Sequence, residues 1–176
     1  MSGVAGLFSL TFLVFTLLLF LRAFTHKLFD FDEFQGFLAD YELLPESLVR
    51  PAGMALVALE GVTVLALVFA ASRPIGLFLA IALLALYATA IGINLRRGNR
   101  RIECGCGGAP QWLSRSLLVR NGVLGLLALV PLTAPPLETS TPGVIAAIAA
   151  GLCLWVLYTL FEQANANLVA MKARQH

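Results

Sequence analysis

The chain has 176 residues, 59% of them hydrophobic and 12% charged, with a mean hydropathy of +0.87 and a formal charge of +2. A soluble domain carries roughly 25% charged residues, so a soluble globule is excluded, and so small a net charge gives no basis for a nucleic-acid partner. What remains is an integral membrane protein in contact with lipid, in which the placement of the few charges says more than their sum.

The first apolar run, residues 4–24, is long enough to cross a hydrocarbon core, which takes ~20 residues of helix. It lacks a basic start and a small-residue cleavage site, so it reads as a span and not as a cleaved leader. Arg22, His26 and Lys27 close it and read as markers of the membrane interface. A short segment at about 30–42 follows. Asp30 and Glu33 have the spacing of a capping box, and Phe31, Phe34, Phe37, Leu38 and Tyr41 recur at helical intervals against an acidic face. This predicts a helix lying in the interface and ending before Pro45, the alternative being a short helix packed on the bundle.

The second span, about 51–71, has Glu60 as its only charge. A carboxylate inside a membrane is costly and faces the bundle or a cavity, which makes it a functional candidate; a neutral acid bonded to a neighbouring helix is the plainer alternative. Ser72-Arg73-Pro74 makes a tight link to an antiparallel third span at about 75–95, whose polar points are Tyr87 and Asn94. The fourth span, about 113–131, is interrupted early by Arg115 and then by Arg120-Asn121. Prolines punctuate the linker to a fifth span at about 144–163, which continues into a polar tail. Cys153 lies inside that last apolar run and reads as a small core residue. The fold expected is all-α: one polytopic transmembrane helical bundle, a four-helix core plus a fifth span, with a short interfacial helix after the first.

Between the third and fourth spans, the loop 96–110 holds Arg96-Arg97-Gly98-Asn99-Arg100-Arg101-Ile102-Glu103-Cys104-Gly105-Cys106-Gly107-Gly108. A thiol reacts as the thiolate, which nearby cations favour, so Arg100 and Arg101 are placed to activate Cys104 and Cys106. A disulfide across one intervening residue closes a very small ring, and strained, exposed disulfides are the labile, oxidising ones. The segment therefore predicts a redox dithiol. Cys-Gly-Cys also suits a soft ion such as Cu(I), and an inert glycine-rich loop is the third reading. A closed four-ligand zinc site cannot be built from this segment alone, and no metal is assigned.

Alternating spans put the first loop, the cysteine loop and the C-terminus at one face. At ~1.5 Å rise per residue, Glu60 and Arg120 both lie roughly 12–15 Å below it, with Tyr87 at a similar level and Asn94 just above. Intramembrane charges pair, so Glu60 with Arg120 is the pairing expected, and Glu60, Tyr87, Asn94, Arg120 and Asn121 are the candidate lining of a polar pocket beneath the cysteines.

The cysteine loop, Arg120-Asn121, Glu60-Gly61 and the opening Lys27…Phe34…Tyr41-Glu42-Leu43-Leu44-Pro45 resemble the MauE family of methylamine-utilisation membrane proteins, within the broader DoxX-like group. The resemblance covers about the first four spans. Family members often place a Phe before the last glycine of the loop, where this chain has Gly107-Gly108. The resemblance implies a bacterial inner-membrane protein that works with a thioredoxin-like partner in forming disulfides in exported proteins such as methylamine dehydrogenase, in complex with other membrane or periplasmic proteins. The arrangement is also similar to vitamin K epoxide reductase, a helical bundle with a quinone beside a cysteine pair, which implies a quinone acceptor. That enzyme class has further cysteines in its first loop and this chain has none, so the relay would use a separate protein. A soft-metal carrier and a non-catalytic assembly subunit are the alternatives. An export role places the cysteine loop on the extracytoplasmic face. Eleven of the twelve Lys and Arg lie toward that same face, which the positive-inside rule would assign to the cytoplasm.

Overall fold

A computed structural model of the chain describes residues 2–99, 102, 105, 112–133 and 141–173. Six helices carry them: α1 (Ser2–Phe29), α2 (Phe31–Asp40), α3 (Glu46–Val68), α4 (Arg73–Arg97), α5 (Arg115–Thr133) and α6 (Thr141–Ala173). All but α2 are long and apolar enough to cross a membrane, and the protein is a multi-pass, all-helical membrane protein. Cys104, Cys106, Arg100 and Arg101 lie outside the described residues.

Several local expectations shift. α1 continues past residue 24 to Phe29, which carries Lys27 into the bundle and not to its surface. Asp30 does precede α2, but its side chain makes no capping bond. The turn is instead held by backbone, with the Asp30 amide donating to the His26 carbonyl at 2.9 Å and the Phe34 amide to the Asp30 carbonyl at 3.0 Å. α2 turns Phe34 inward against the bundle and leaves Asp32 and Glu33 exposed. α3 begins at Glu46 and takes Pro51 inside it.

Lipid tails are as apolar as leucine, so helices in a bilayer associate by close packing and polar contacts, not by hiding apolar surface. α3 and α4 form a tight antiparallel pair: the Ser72 hydroxyl donates to the Ala66 carbonyl at 3.0 Å, and Gly76 lies against the backbone of Ala66 and Leu67. Phe15, Phe20, Ala80, Leu83, Leu84 and Leu124 fill the centre. α1 is the hub, packed against α2, α3, α5 and α6. α6 rests on α1, and among its described side chains only Ala147, Gly151 and Glu162 are buried. Cys153 is exposed on α6, not in the core as its apolar surroundings suggested.

The α1–α6 contact depends on Gly151, where a Cβ would come within 2.8 Å of the Val14 side chain and 2.9 Å of the Thr11 carbonyl. Gly151→Leu should push α6 outward and cost about 1–3 kcal/mol, as overpacking does. Gly122→Leu, at a glycine whose added Cβ meets nothing within 4 Å, should be tolerated. Thermal unfolding of the two variants in detergent measures the difference; equal melting temperatures would show that the contact does not hold α6.

Candidate functional site

Two charged clusters lie inside the bundle below the cysteine loop. In the first, Lys27 reaches from α1 to Glu60 of α3, with Nζ and Oε1 2.5 Å apart, and Tyr87 of α4 donates its hydroxyl to the same oxygen at 2.5 Å. Lys27 Nζ is also 3.1 Å from the Tyr87 hydroxyl and sits over the rings of Phe34 and Tyr87, with centroids at 5.0 and 4.4 Å. Lys27 is 1% exposed and Glu60 is 0% exposed. Oppositely charged groups at this depth offset each other's desolvation only through close geometry, and two aromatic faces add cation–π attraction. Glu60 Oε2 is buried with no hydrogen-bond partner among the described residues.

The second cluster centres on Glu162 of α6. It accepts from Arg22 of α1 at 3.1 Å, from Arg120 of α5 at 2.7 Å and from the Tyr158 hydroxyl, one turn earlier on α6, at 2.7 Å. Glu60 therefore pairs with Lys27, and Arg120 with Glu162. The expected Glu60–Arg120 bridge is replaced by these two, because α1 supplies a cation to each cluster and depth alone does not fix which way a side chain points.

Between the clusters lies a cavity of about 40 Å³, lined on its polar side by Arg22, Glu60, Tyr87, Arg120, Asn121, Tyr158 and Glu162. A space of this size and polarity admits one or a few waters. Of the five residues expected to converge here, Glu60, Tyr87, Arg120 and Asn121 do. Asn121 is 4% exposed and its Nδ2 has no partner among the described residues, which leaves a buried donor on the cavity wall.

Asn94 does not line it. Its Nδ2 donates to the Tyr41 carbonyl at 3.1 Å and the Ala90 carbonyl at 3.3 Å, while its Oδ1 accepts from Asn99 at 3.3 Å. Arg97 donates to the Glu42 carbonyl at 3.2 Å. Asn94 and Arg97 thus tie the loop after α2 to the end of α4, where Gly98 closes the helix at φ 85°. Tyr41 packs with Ile91, Leu113 and Leu117, and burial pushes its hydroxyl up to about 12, with Arg120 pulling it partly back. The cysteine loop springs from this platform. Its neck is closed by a Leu113 amide to Ile102 carbonyl bond of 3.1 Å. Gly105, between the two cysteines in sequence, has φ 62° and lies against Phe37 of α2, where an added Cβ would be 3.1 Å from the Phe37 Cβ.

Reasoning from the sequence missed Lys27, Arg22, Tyr158 and Glu162 as site residues. The available signal was the pairing requirement itself: Glu162 follows Tyr158 by one helical turn at the end of an apolar run, and Lys27 is a basic residue closing the first apolar run. Among the described residues, no three His, Cys, Asp or Glu gather as a metal site would require.

A sequence profile of the family described as "Methylamine utilisation protein MauE" matches residues 5–134, from α1 through α5. The methylamine utilization protein MauE of Methylophilus methylotrophus is 35% identical over 167 residues, covering 93% of this chain and 86% of that protein. MauE of Methylorubrum extorquens is 36% identical over 153 residues, covering 82% and 80%, and MauE of Paracoccus denitrificans is 35% identical over 125 residues, covering 70% and 67%. No solved structure matches the chain.

The Lys27–Glu60 pair should behave as one unit. Glu60→Gln or Lys27→Met alone should cost about 3–5 kcal/mol by stranding a buried charge or its donor, and the double variant should recover most of that loss. Denaturant titration of the three proteins in detergent reads the coupling; additive losses would dissolve the pair.

Proposed function

Because this chain belongs to the MauE family of methylamine-utilisation membrane proteins, we propose that it is a membrane thiol–disulfide oxidoreductase, passing electrons from a thioredoxin-like partner to a quinone in the bilayer. Its role would be to support disulfide formation in exported proteins such as methylamine dehydrogenase. The observation that carries the reading is the seat of Gly105. The residue separating Cys104 from Cys106 is held left-handed against Phe37, above a bundle whose interior is charged and donor-rich.

The chemistry divides into two exchanges. A thiolate of the reduced partner attacks the Cys104–Cys106 disulfide, one S–S bond is replaced by another through a mixed disulfide, and the partner leaves oxidised with both cysteines reduced. Arg100 and Arg101 stabilise the leaving thiolate. Reoxidation breaks two S–H bonds and forms one S–S bond, and the two electrons and two protons pass to the quinone. Asn121 and Arg120 are donors on the wall of the cavity, and Tyr87 and Lys27 orient the Glu60 carboxylate so that its second oxygen remains available for a proton.

The cysteine loop is assigned to the extracytoplasmic face. The basic residues toward that end oppose this by the positive-inside rule, but Arg22, Lys27 and Arg120 are bound to carboxylates inside the bundle and do not act as flanking charges.

Redox titration of a Cys153→Ser protein, read by mass shift on alkylation, should give a reversible Cys104–Cys106 couple more oxidising than the about −300 mV of structural disulfides. One of the two single-cysteine variants should trap a mixed disulfide with a thioredoxin-like protein. A pair that stays reduced in oxidised glutathione and binds one Cu(I) tightly would replace this reading with a metal carrier. In the same Cys153→Ser background, a membrane-impermeant maleimide should label the reduced loop in intact cells; labelling only after permeabilisation would place it in the cytoplasm and end the export role.

A further inference from the structure

α5 and α6 both pack on α1 but diverge from each other, leaving a groove of about 1230 Å³ open to the side of the bundle. Its floor is Phe12 and Phe15 of α1, and its walls include Val123 and Leu127 of α5 and Leu154 and Leu157 of α6. On α6 it reaches from Leu154 to Leu168, about 21 Å at the helical rise. This exceeds the ~300–1,000 Å³ of ordinary small-molecule pockets and is longer than a compact ligand needs.

The groove is not uniformly apolar. Arg120, Tyr158 and Glu162 border both it and the small polar cavity, so the cavity adjoins the groove at its inner wall. The buried Nδ2 of Asn121 and Oε2 of Glu60, neither with a partner among the described residues, lie on that cavity. The upper rim is Trp112, Leu113 and Ser114, the segment by which the cysteine loop returns to α5. One site thus has a long apolar trough facing lipid, a polar band of Arg120, Tyr158 and Glu162 partway along it, and the arm of the cysteine loop at its top.

We propose that this groove is the binding site for a long-tailed quinone, which enters sideways from the bilayer between α5 and α6. The tail lies along Phe12, Val123, Leu127, Leu154 and Leu157, and a ring carbonyl faces Arg120, with Asn121 acting through water in the cavity. The depth of the polar band favours a quinone over a phospholipid. Arg120 lies five residues into α5, about 7–8 Å below Arg115 and further below the Trp112 rim, where an aromatic residue marks the interface. A phosphate would have to sink below headgroup level to reach it, whereas a neutral ring on an apolar tail resides at that depth. The inference rests on the quinone reading above and adds where that molecule binds.

The test uses full-length protein in phosphatidylcholine nanodiscs and a photoreactive azidoquinone with a decyl tail. Crosslinks should map to groove residues of α5 and α6, and an unlabelled decyl quinone should compete while tailless benzoquinone should not. Val123→Trp and Leu157→Trp, at half-exposed positions on opposite walls, should each lower labelling roughly tenfold, the equivalent of about 1.4 kcal/mol. Leu126→Trp, exposed on α5 outside the groove, should leave it unchanged. Labelling should persist in a Cys104→Ser/Cys106→Ser protein, so it reads the groove whether or not the dithiol is redox-active. Crosslinks scattered over the lipid-facing surface, displacement by added phospholipid, or indifference to both groove tryptophans would overturn the proposal. If quinone still oxidises the dithiol at the wild-type rate in Leu157→Trp and Val123→Trp, the groove assignment fails while the oxidoreductase reading stands. If labelling behaves as expected but quinone never oxidises the dithiol, the groove stands and the oxidoreductase reading fails.

Discussion

The structure depends on the need to neutralise charge where water is absent. Lys27 and Glu60 are held together inside a bundle with almost no access to solvent, and Tyr87 completes the contact from a third helix. Glu162, itself buried, draws in Arg22 and Arg120, which keep some access to solvent. α1 supplies a cation to each cluster, and Arg22 and Lys27 are five residues apart, roughly 140° around the helix axis. Their side chains therefore diverge, one toward α5 and α6 and the other toward α3 and α4. This makes α1 the helix against which most of the others are placed, and it links bundle assembly to the geometry of the candidate site.

Polar residues at the cysteine-loop end serve a different purpose. Asn94 and Arg97 bond to main-chain carbonyls of Tyr41 and Glu42, and Leu113 closes the neck with the Ile102 carbonyl. Main-chain acceptors fix where a loop sits without committing a carboxylate. The charged residues below remain available to face the cavity. Frame and site are thus drawn from different polar residues even on one helix, as with Asn94 and Tyr87, about two turns apart on α4.

A protein that exchanges electrons between an aqueous partner and a bilayer acceptor must be approached from two directions. On the proposed reading, the cysteine loop meets its partner above α2, and the groove between α5 and α6 opens at right angles, into lipid. The two approaches meet at Trp112–Ser114, which belongs to both the loop and the groove rim. The family profile ends at residue 134, before α6, although the Methylophilus relative aligns over nearly the whole chain. Leu154, Leu157, Tyr158 and Glu162, which build one wall of the groove and the carboxylate of the second cluster, lie beyond the profile.

The sequence by itself determined the number of spans and the short helix after the first, because hydropathy and helical periodicity are local and additive. It did not determine who pairs with whom. Lys27 looked like an interfacial flank because it follows an apolar run and precedes acidic residues, and Asp30 with Glu33 looked like a capping box because spacing cannot report a side-chain bond. Cys153 looked like core because its neighbours are apolar, yet α6 turns it outward. In water an amphipathic stripe would have told each helix which face to bury. In lipid a helix is apolar on nearly every side, so its rotation is set by small-residue contacts such as Gly151 on Val14 and by the few buried charges that must find one another. Those choices depend on all the helices at once, and only the tertiary structure made them.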